Sequence, residues 1–310
     1  MIIRVLGSSA GGGFPQWNCN GANSRDVRAG LPGLKPRTQS SLAVSGNGRD
    51  WVLLNASPDI RQQLNETPAL HPRADGDVRN SPIAAVILTN GDVDHVAGLL
   101  SLREGQPFTL YGSSRVLEAL GANSIFNVLA PEKVRRETMT PGEAFAIAGP
   151  EGETNLVAEA FVVPGKVALY LEDPEAGENF GTEEGDTIGL KISDADAGTS
   201  FFYIPGCATL DDALAARLRD AALLFFDGTL YTNDEMIAQG LSAKTGQRMG
   251  HMNMSGPDGS LAAFETLGVR RRIYIHINNS NPVLREGSAE RTAVEDAGWG
   301  IAYDGMEVSL

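Results

Sequence analysis

Cysteine is nearly absent from this chain: Cys19 and Cys207 are the two among 310 residues. Two thiols build no disulfide framework, so a reducing compartment is expected. No apolar run approaches the roughly 20 residues that span a bilayer. The start, Met1-Ile-Ile-Arg-Val-Leu-Gly7, reads as a strand and a turn and lacks the layout of a signal peptide. A cytoplasmic protein with no membrane partner is the expectation. Cations are the minority, 25 Lys and Arg against 39 Asp and Glu, for a net charge of −14. A phosphate backbone would want clustered Lys and Arg, so no nucleic-acid partner is expected. Histidine is scarce too, with His71, His95, His251 and His276 the only four. A site that needs two or three imidazoles must draw on nearly all of them. Repeats, low-complexity tracts and a clear linker are missing. The Gly/Asp/Glu-rich stretch Glu172–Asp186 reads as a solvated excursion, and one domain over 1–310 is expected.

What is present is a series of short apolar, β-branched runs separated by polar turns and helical patterns. Strands are expected at Ile2–Leu6, Ser41–Val44, Trp51–Asn55, Ile83–Thr89, Phe108–Tyr111, Ala144–Ala148, Ala158–Val163 and Val167–Leu171. Later strands are expected at Ile188–Ile192, Ser200–Ile204, Ala222–Asp227 and Ile273–Ile277. Helices are expected at Pro58–Leu64, Val96–Arg103, Ser114–Leu120, Leu210–Arg219, Asp234–Ala238, Gly256–Leu267 and Ala289–Ala297.

The segment Ile83–Leu100 carries the most chemistry. A buried strand stops at Asn90-Gly91-Asp92-Val93-Asp94-His95, and an apolar helical stretch follows. That places Asn90, Asp92, Asp94 and His95 in one loop at the C-terminal end of a strand, where α/β sheets build their sites. Adjacent Asp and His there can converge on one cation. The spacing resembles the His-x-His-x-Asp-His loop of the metallo-β-lactamase superfamily, with Asn90 and Asp92 standing where the two leading histidines would be. The resemblance implies an α/β fold, the αββα sandwich of that superfamily. There the leading histidines help to hold the first of two metals, and the Asp-His pair serves the second. Their replacement argues against two-zinc hydrolysis and toward a single redox metal.

His276 ends the run Arg271–His276 before the polar loop Ile277-Asn-Asn-Ser-Asn-Pro282. This place matches the superfamily's last metal ligand; the plain alternative is a core histidine bonded to a carbonyl. Asp94, His95 and His276 together give two imidazoles and a carboxylate, the set of mononuclear non-haem Fe(II) oxygen chemistry. His251, in Gly250-His-Met-Asn-Met-Ser-Gly256, is open to several roles: ligand, acid or base, anchor for a substrate carboxylate, or loop cap. Asp227 ends Leu223-Leu-Phe-Phe-Asp227, where it supports or ligates a metal or simply forms the turn before Gly228. Asp92 and Asn90 are expected beside the metal. His71, in a turn-rich stretch, is expected to be an exposed loop residue. The glycines of Gly7–Gly13 lack the following helix of a phosphate-binding loop, so a tight loop near the site is expected.

Blocks along nearly the whole chain resemble the PqqB family of pyrroloquinoline quinone (PQQ) biosynthesis. They are Gly7–Cys19, Asn55–Gln63, Leu88–Gly98, Phe161–Lys166, Tyr203–Ala208, Phe226–Leu230, Gly250–Gly256 and His276–Pro282. The resemblance implies iron- and O2-dependent hydroxylation of the tyrosine ring in the cross-linked Glu-Tyr precursor of PQQ. Fe(II) is the implied cofactor, with zinc or manganese able to take its place in preparations. The implied partners are the small Glu-Tyr-derived precursor, O2 and other enzymes of the PQQ pathway. Asp94, His95 and His276 are the implied metal ligands. Asp92, His251 and Asp227 are candidates for proton transfer or metal support. Asn90, Arg61, Lys166 and the Asn278–Asn281 loop are candidates to position cofactor and substrate. An older description of the family, transport of PQQ or its precursor, would make the protein a soluble carrier; a metal-dependent hydrolase is the other alternative. One block departs: the family commonly carries Cys-x-Cys-x-x-Cys for a structural zinc, and this chain has Cys19, Gly21 and Ser24. One thiolate is a poor zinc site, so no structural zinc is expected at Cys19.

Overall fold

Side chains alternate across a strand, and here both faces of most strands are apolar, so each strand must be covered twice. The structure, a computed structural model, describes residues 1–177 and 179–310; position 178, inside the Glu172–Asp186 excursion, lies outside the described residues. The strands are β1 (Ile2–Gly7), β2 (Ser41–Ser45), β3 (Trp51–Leu54), β4 (Ile83–Ile87), β5 (Phe108–Gly112), β6 (Val134–Thr138) and β7 (Ala144–Gly149). They continue as β8 (Gly152–Val162), β9 (Ile188–Asp194), β10 (Ser200–Ile204), β11 (Leu223–Asp227), β12 (Arg271–Ile275), β13 (Trp299–Ile301) and β14 (Glu307–Ser309). They form two seven-stranded sheets, ordered β14-β1-β2-β3-β4-β5-β6 and β13-β12-β11-β10-β9-β8-β7. Each sheet is antiparallel over one part and parallel over the other, from β3 to β6 and from β10 to β13.

Three apolar clusters define the layers. Leu54, Ile87 and Tyr111 lie side by side on one sheet, and Tyr203, Phe225 and Ile273 on the other; both rows belong to the cluster between the sheets. The residues that alternate with them face outward onto helices. Leu53, Val86 and Leu110 meet Ile60, Leu99 and Leu120 on one side, while Leu224, Phe226 and Tyr274 meet Leu214, Leu218 and Phe264 on the other. The result is the expected αββα sandwich. Parallel neighbours require crossovers, and the helices supply them. α1 (Ala22–Arg28) follows the N-terminal loop; α2 (Ile60–Glu66), α3 (Val93–Val96) and α4 (Ser114–Ala122) connect β3 through β6. α5 (Asp212–Leu218), α6 (Glu235–Ala238), α7 (Ser260–Ala263) and α8 (Ala289–Asp296) do the same for β10 through β13. Among the described residues, no helix is long and apolar enough to cross a membrane.

Several expectations need correction. Val167–Leu171 is no strand: its end is a 3-10 turn, Leu169–Leu171, with Leu169 59% and Tyr170 46% exposed. The run has the right residues but no neighbouring strand to pair with. The helix expected over Val96–Arg103 starts earlier, at Val93, and continues as a 3-10 turn, Ala97–Leu102. The long helix expected from Gly256 shrinks to α7, because Gly256 takes a positive φ and the chain enters the helix only after Gly259. The sequence reading missed α1 and three strands: β6, whose Arg135-Arg136-Glu137 reads as a turn, and β13 and β14, which have three residues each. All three are edge strands, where short length and charge are the usual protection against mispairing.

Candidate metal centre

The site lies at the C-terminal ends of β4, β11 and β12, which bring Asp94, His95, Asp227 and His276 to one edge of the sandwich. Asp94 and His95 do not sit in an open loop. The Asp92 carbonyl accepts from His95 N at 2.9 Å and Val96 N at 3.1 Å, so both residues belong to the first turn of α3. That turn rests directly on the end of β3. Gly98 N donates to Ala56 O at 2.9 Å, and a Cβ at Gly98 would fall 2.1 Å from Ser57 O, so only glycine permits the approach. His276 follows β12 with φ +60, a conformation costing a non-glycine residue roughly 1–2 kcal/mol. Ile277 N bonded to Ser8 O at 2.9 Å and Thr229 Oγ1 bonded to His276 O at 3.1 Å hold it there.

Two sets of ligand-type side chains share His276: Asp94 with His95, and Asp227 with His251. Their hydrogen bonds separate their roles. The two Asp227 oxygens are fully used, Oδ1 by Thr229 N (3.0 Å) and Thr229 Oγ1 (2.6 Å), Oδ2 by Cys207 N (3.0 Å) and His251 Nδ1 (2.7 Å). Thr229 Oγ1 also lies 2.8 Å from His276 Nδ1 and 3.1 Å from His251 Nδ1. This set is a hydrogen-bond relay. The His251 and His276 rings stack at 5.2 Å, which extends the relay toward the other set.

The other set suits a cation. His276 Nε2 faces Asp94 Oδ2 at 3.0 Å, and His95 Nε2 lies 4.0 Å from the same oxygen. His95 Nδ1 is held by Asn90 Oδ1 at 2.6 Å, yet its buried Nε2 has no hydrogen-bond partner among the described residues. An unpaired buried imidazole nitrogen is costly, and a metal bonded there removes the cost. Asn90 explains what became of the two leading histidine positions. Its Nδ2 donates to Asp92 Oδ2 at 3.0 Å and its Oδ1 accepts Asp92 N at 3.1 Å, so its amide ties Asp92 to His95. Two imidazoles and one carboxylate fit iron, zinc or manganese.

The electrostatics agree. Burial pushes His95 down to about 4, against the pull of Asp94, leaving it neutral and ready to ligate. Burial works against the Asp94 carboxylate, but attraction to the His95 and His276 rings when they carry a proton, and the hydrogen bond from His276, outweigh it and hold Asp94 below the usual carboxylate range. Burial likewise opposes charge on His276, and its contacts with Asp94 and Asp227 reverse that and raise it. Burial, followed by the charge of Asp94, pushes Asp92 up to about 6.

The remaining candidates divide. Lys166 lies beside the site: a Cβ at Gly250 would come within 2.9 Å of its Cγ, and its charge bears on Asp92. Gly11 backs onto Asp94, where an added Cβ would sit 3.3 Å from Oδ2, so the N-terminal loop does edge the centre. That loop is pinned by Arg28, which donates to the carbonyls of Gln16 and Cys19, and by Asn23 Nδ2 donating to Asn281 O at 3.0 Å. Arg61 is exposed on α2 and has no hydrogen bond or ion pair to the cluster. Asn278 donates to Ser280 Oγ (2.6 Å) and Met236 Sδ (3.2 Å), and Asn281 to Gly228 O (3.0 Å), so these side chains brace the loop against α6 and the end of β11. His71 is exposed with Nε2 on Asn65 O at 3.0 Å, as expected. The sequence reading missed Thr229, the centre of the relay, although a Gly-Thr pair after a strand-end Asp was visible. It also missed Tyr170, whose hydroxyl donates to Gly91 O at 3.0 Å, and Arg248.

The chain matches the family described as Beta-lactamase superfamily domain over residues 50–277. It is 52% identical over 309 residues to coenzyme PQQ synthesis protein B of Bradyrhizobium diazoefficiens, covering 99% of each chain. It is also 52% identical over 308 residues to the protein of that name from Rhizobium meliloti, covering 99% of this chain and 97% of the other. The crystal structure of Zn2+-bound PqqB from Methylobacterium extorquens superposes with a TM-score of 0.92 at 48% identity over 100% of both chains. A diphosphatase of the PhnP family aligns at TM-score 0.67 and 20% identity, covering 99% of this chain and 96% of the other, a likeness of fold alone.

Proposed function

The chain belongs to the coenzyme PQQ synthesis protein B family of the β-lactamase superfamily, and from that premise we propose that it hydroxylates the tyrosine ring of the cross-linked Glu-Tyr precursor of PQQ, using Fe(II) and O2. The observation that carries this reading is the amide of Asn90, spent on His95 and Asp92 where a two-metal hydrolase would present imidazoles. Asp94, His95 and His276 would hold the iron, which supplies reductive activation of O2 when bound. His251 is oriented by Asp227 through Nδ1, which leaves Nε2 to take the phenol proton. Asp92, tied by Asn90 Nδ2 to the loop that carries Asp94 and His95, is the second group placed to give or take a proton. The phenol and O2 balance to an ortho-quinone and water, with one oxygen atom entering at a ring C–H; a catechol product needs two electrons from an added reductant. We place this reaction in the cytoplasm, with other PQQ-pathway enzymes delivering the substrate.

The test is to purify the protein without air, load Fe(II), and follow O2 uptake and mass with a cross-linked Glu-Tyr diamino acid. A gain of oxygen that requires Fe(II) and is lost in His276→Ala is expected. Binding without a mass change would make the protein a soluble carrier, and bond cleavage with zinc would make it a hydrolase.

A further inference from the structure

A protein with net charge −14 offers little to attract an anion, yet two cations meet beside the metal centre. Arg248 Nη1 and Nη2 donate to Glu172 Oε1 and Oε2 at 3.0 and 2.8 Å, a two-pronged fork on one carboxylate. Lys166 Nζ approaches the same Oε1 at 3.2 Å. The guanidinium also lies over the Phe180 ring, 3.6 Å from its centroid. Two cations share this one carboxylate, with the Asp92 carboxyl the other acidic group that Lys166 acts on. Lys166 borders Gly250, next to His251, and its charge reaches Asp92, while Arg248 is joined to Lys166 through the shared Glu172 carboxylate. Lys166 therefore brings the Arg248–Glu172 fork to the border of the metal centre.

Glu172 itself sits on a weakly anchored stretch. It lies between two short 3-10 turns, Leu169–Leu171 and Pro174–Ala176, outside both sheets. Leu169, Tyr170 and Leu171 are 59%, 46% and 40% exposed, so the apolar anchorage of the stretch ends upstream, at the buried Val167 and Ala168. Its named ties to the site are polar, from Tyr170 to Gly91 O and from Glu172 to the two cations. Segments held in this way open at low cost. The Arg248 and Lys166 side chains are 29% and 21% exposed, within reach of a ligand.

We propose that Arg248 and Lys166 form a subsite for a ligand carboxylate, and that Glu172 occupies it as an internal carboxylate which the ligand displaces. The proposal rests on the reading above only for the class of ligand, a small amino-acid-derived polycarboxylate. Exchange of one carboxylate for another preserves every hydrogen bond to the fork, so apparent affinity is set by how often the Glu172 stretch is open. If it is open about a tenth of the time, the ligand binds about tenfold more weakly than to an empty fork.

Titration calorimetry of the zinc-loaded full chain with PQQ, and with its trimethyl ester as the uncharged control, tests this. Glu172→Gln is expected to bind PQQ about 5- to 10-fold more tightly and the ester unchanged. Arg248→Met should weaken PQQ about tenfold or more and erase the gain in the Glu172→Gln background. Arg248→Lys keeps the charge but loses the fork, and an intermediate loss is expected even if Arg248→Met folds poorly. PQQ bound equally or more weakly by Glu172→Gln would overturn the proposal, as would equal shifts for acid and ester. Unchanged binding with hydroxylation intact defeats this proposal alone; shifted binding without hydroxylation supports it and defeats the hydroxylase reading alone.

Discussion

Replacing Asn90 by alanine removes a side chain that touches no metal, yet the geometry makes it a strong perturbation. The amide oxygen accepts from His95 Nδ1 at 2.6 Å and so fixes which nitrogen of that ring carries the proton. Without it, His95 is free to adopt the other tautomer, with a proton on the Nε2 that should ligate. Loss of such a partner costs about 10- to 100-fold in metal affinity, or about 1.4–2.7 kcal/mol. The metal-free protein suffers separately. His95 is 1% exposed and would then have both ring nitrogens unpaired, which costs about 1–3 kcal/mol of stability. Competition against a chromophoric zinc chelator reads the first effect, and urea unfolding of the metal-free protein reads the second. Asn90→Asp is the control: it keeps an oxygen in place for His95 and should retain metal affinity. A folded Asn90→Ala variant whose zinc affinity stays within about twofold of the wild type would refute the reasoning, since His95 would then not depend on Asn90 to ligate.

Two further predictions concern the scaffold. Burial pushes Glu235 up to about 7, although Ser280 Oγ and Tyr231 N bond its carboxylate. The folded state therefore holds a proton that the unfolded state releases, and stability should fall as pH rises from about 4.5 to about 7, by about 3 kcal/mol. Glu235→Gln should not show that fall; parallel wild-type and variant curves in urea unfolding across that range would contradict the assignment. Gly98→Ala places a methyl against Ser57 O and should cost about 2–3 kcal/mol, measured by the same unfolding, with weaker zinc binding because α3 must shift.

The chain reveals its layers more readily than its edges. Runs such as Trp51–Leu54 and Leu223–Asp227 announce buried strands because both faces are apolar, and the central strands are where burial is complete. Val134–Thr138 and Glu307–Ser309 pair on one side only, tolerate charge, and so leave no hydrophobic pattern to read. Val167–Leu171 shows the converse error: a strand-like composition says nothing about whether a neighbour exists to pair with. At the site, the scarcity of histidine was informative, because His95, His251 and His276 do come together. Arg61 and Asn278 were harder to judge, since nothing in their local sequence shows whether an exposed helix face or a braced loop points toward the centre. The link between Glu172 and Arg248 joins residues far apart in sequence and becomes visible only in the fold.

Asn90 and Asp92 lie beyond Ile87, the last β4 residue packed between the sheets. The same holds for His276 beyond Ile275 on β12. The reactive side chains thus form a replaceable fringe on a core that does not register their identity. Exchange of imidazole for amide at this fringe changes the donors offered to an ion while leaving the inter-sheet packing as it was. A lineage built on this sandwich can therefore drift between chemistries through individually tolerable steps, and its members share architecture far longer than they share reactions.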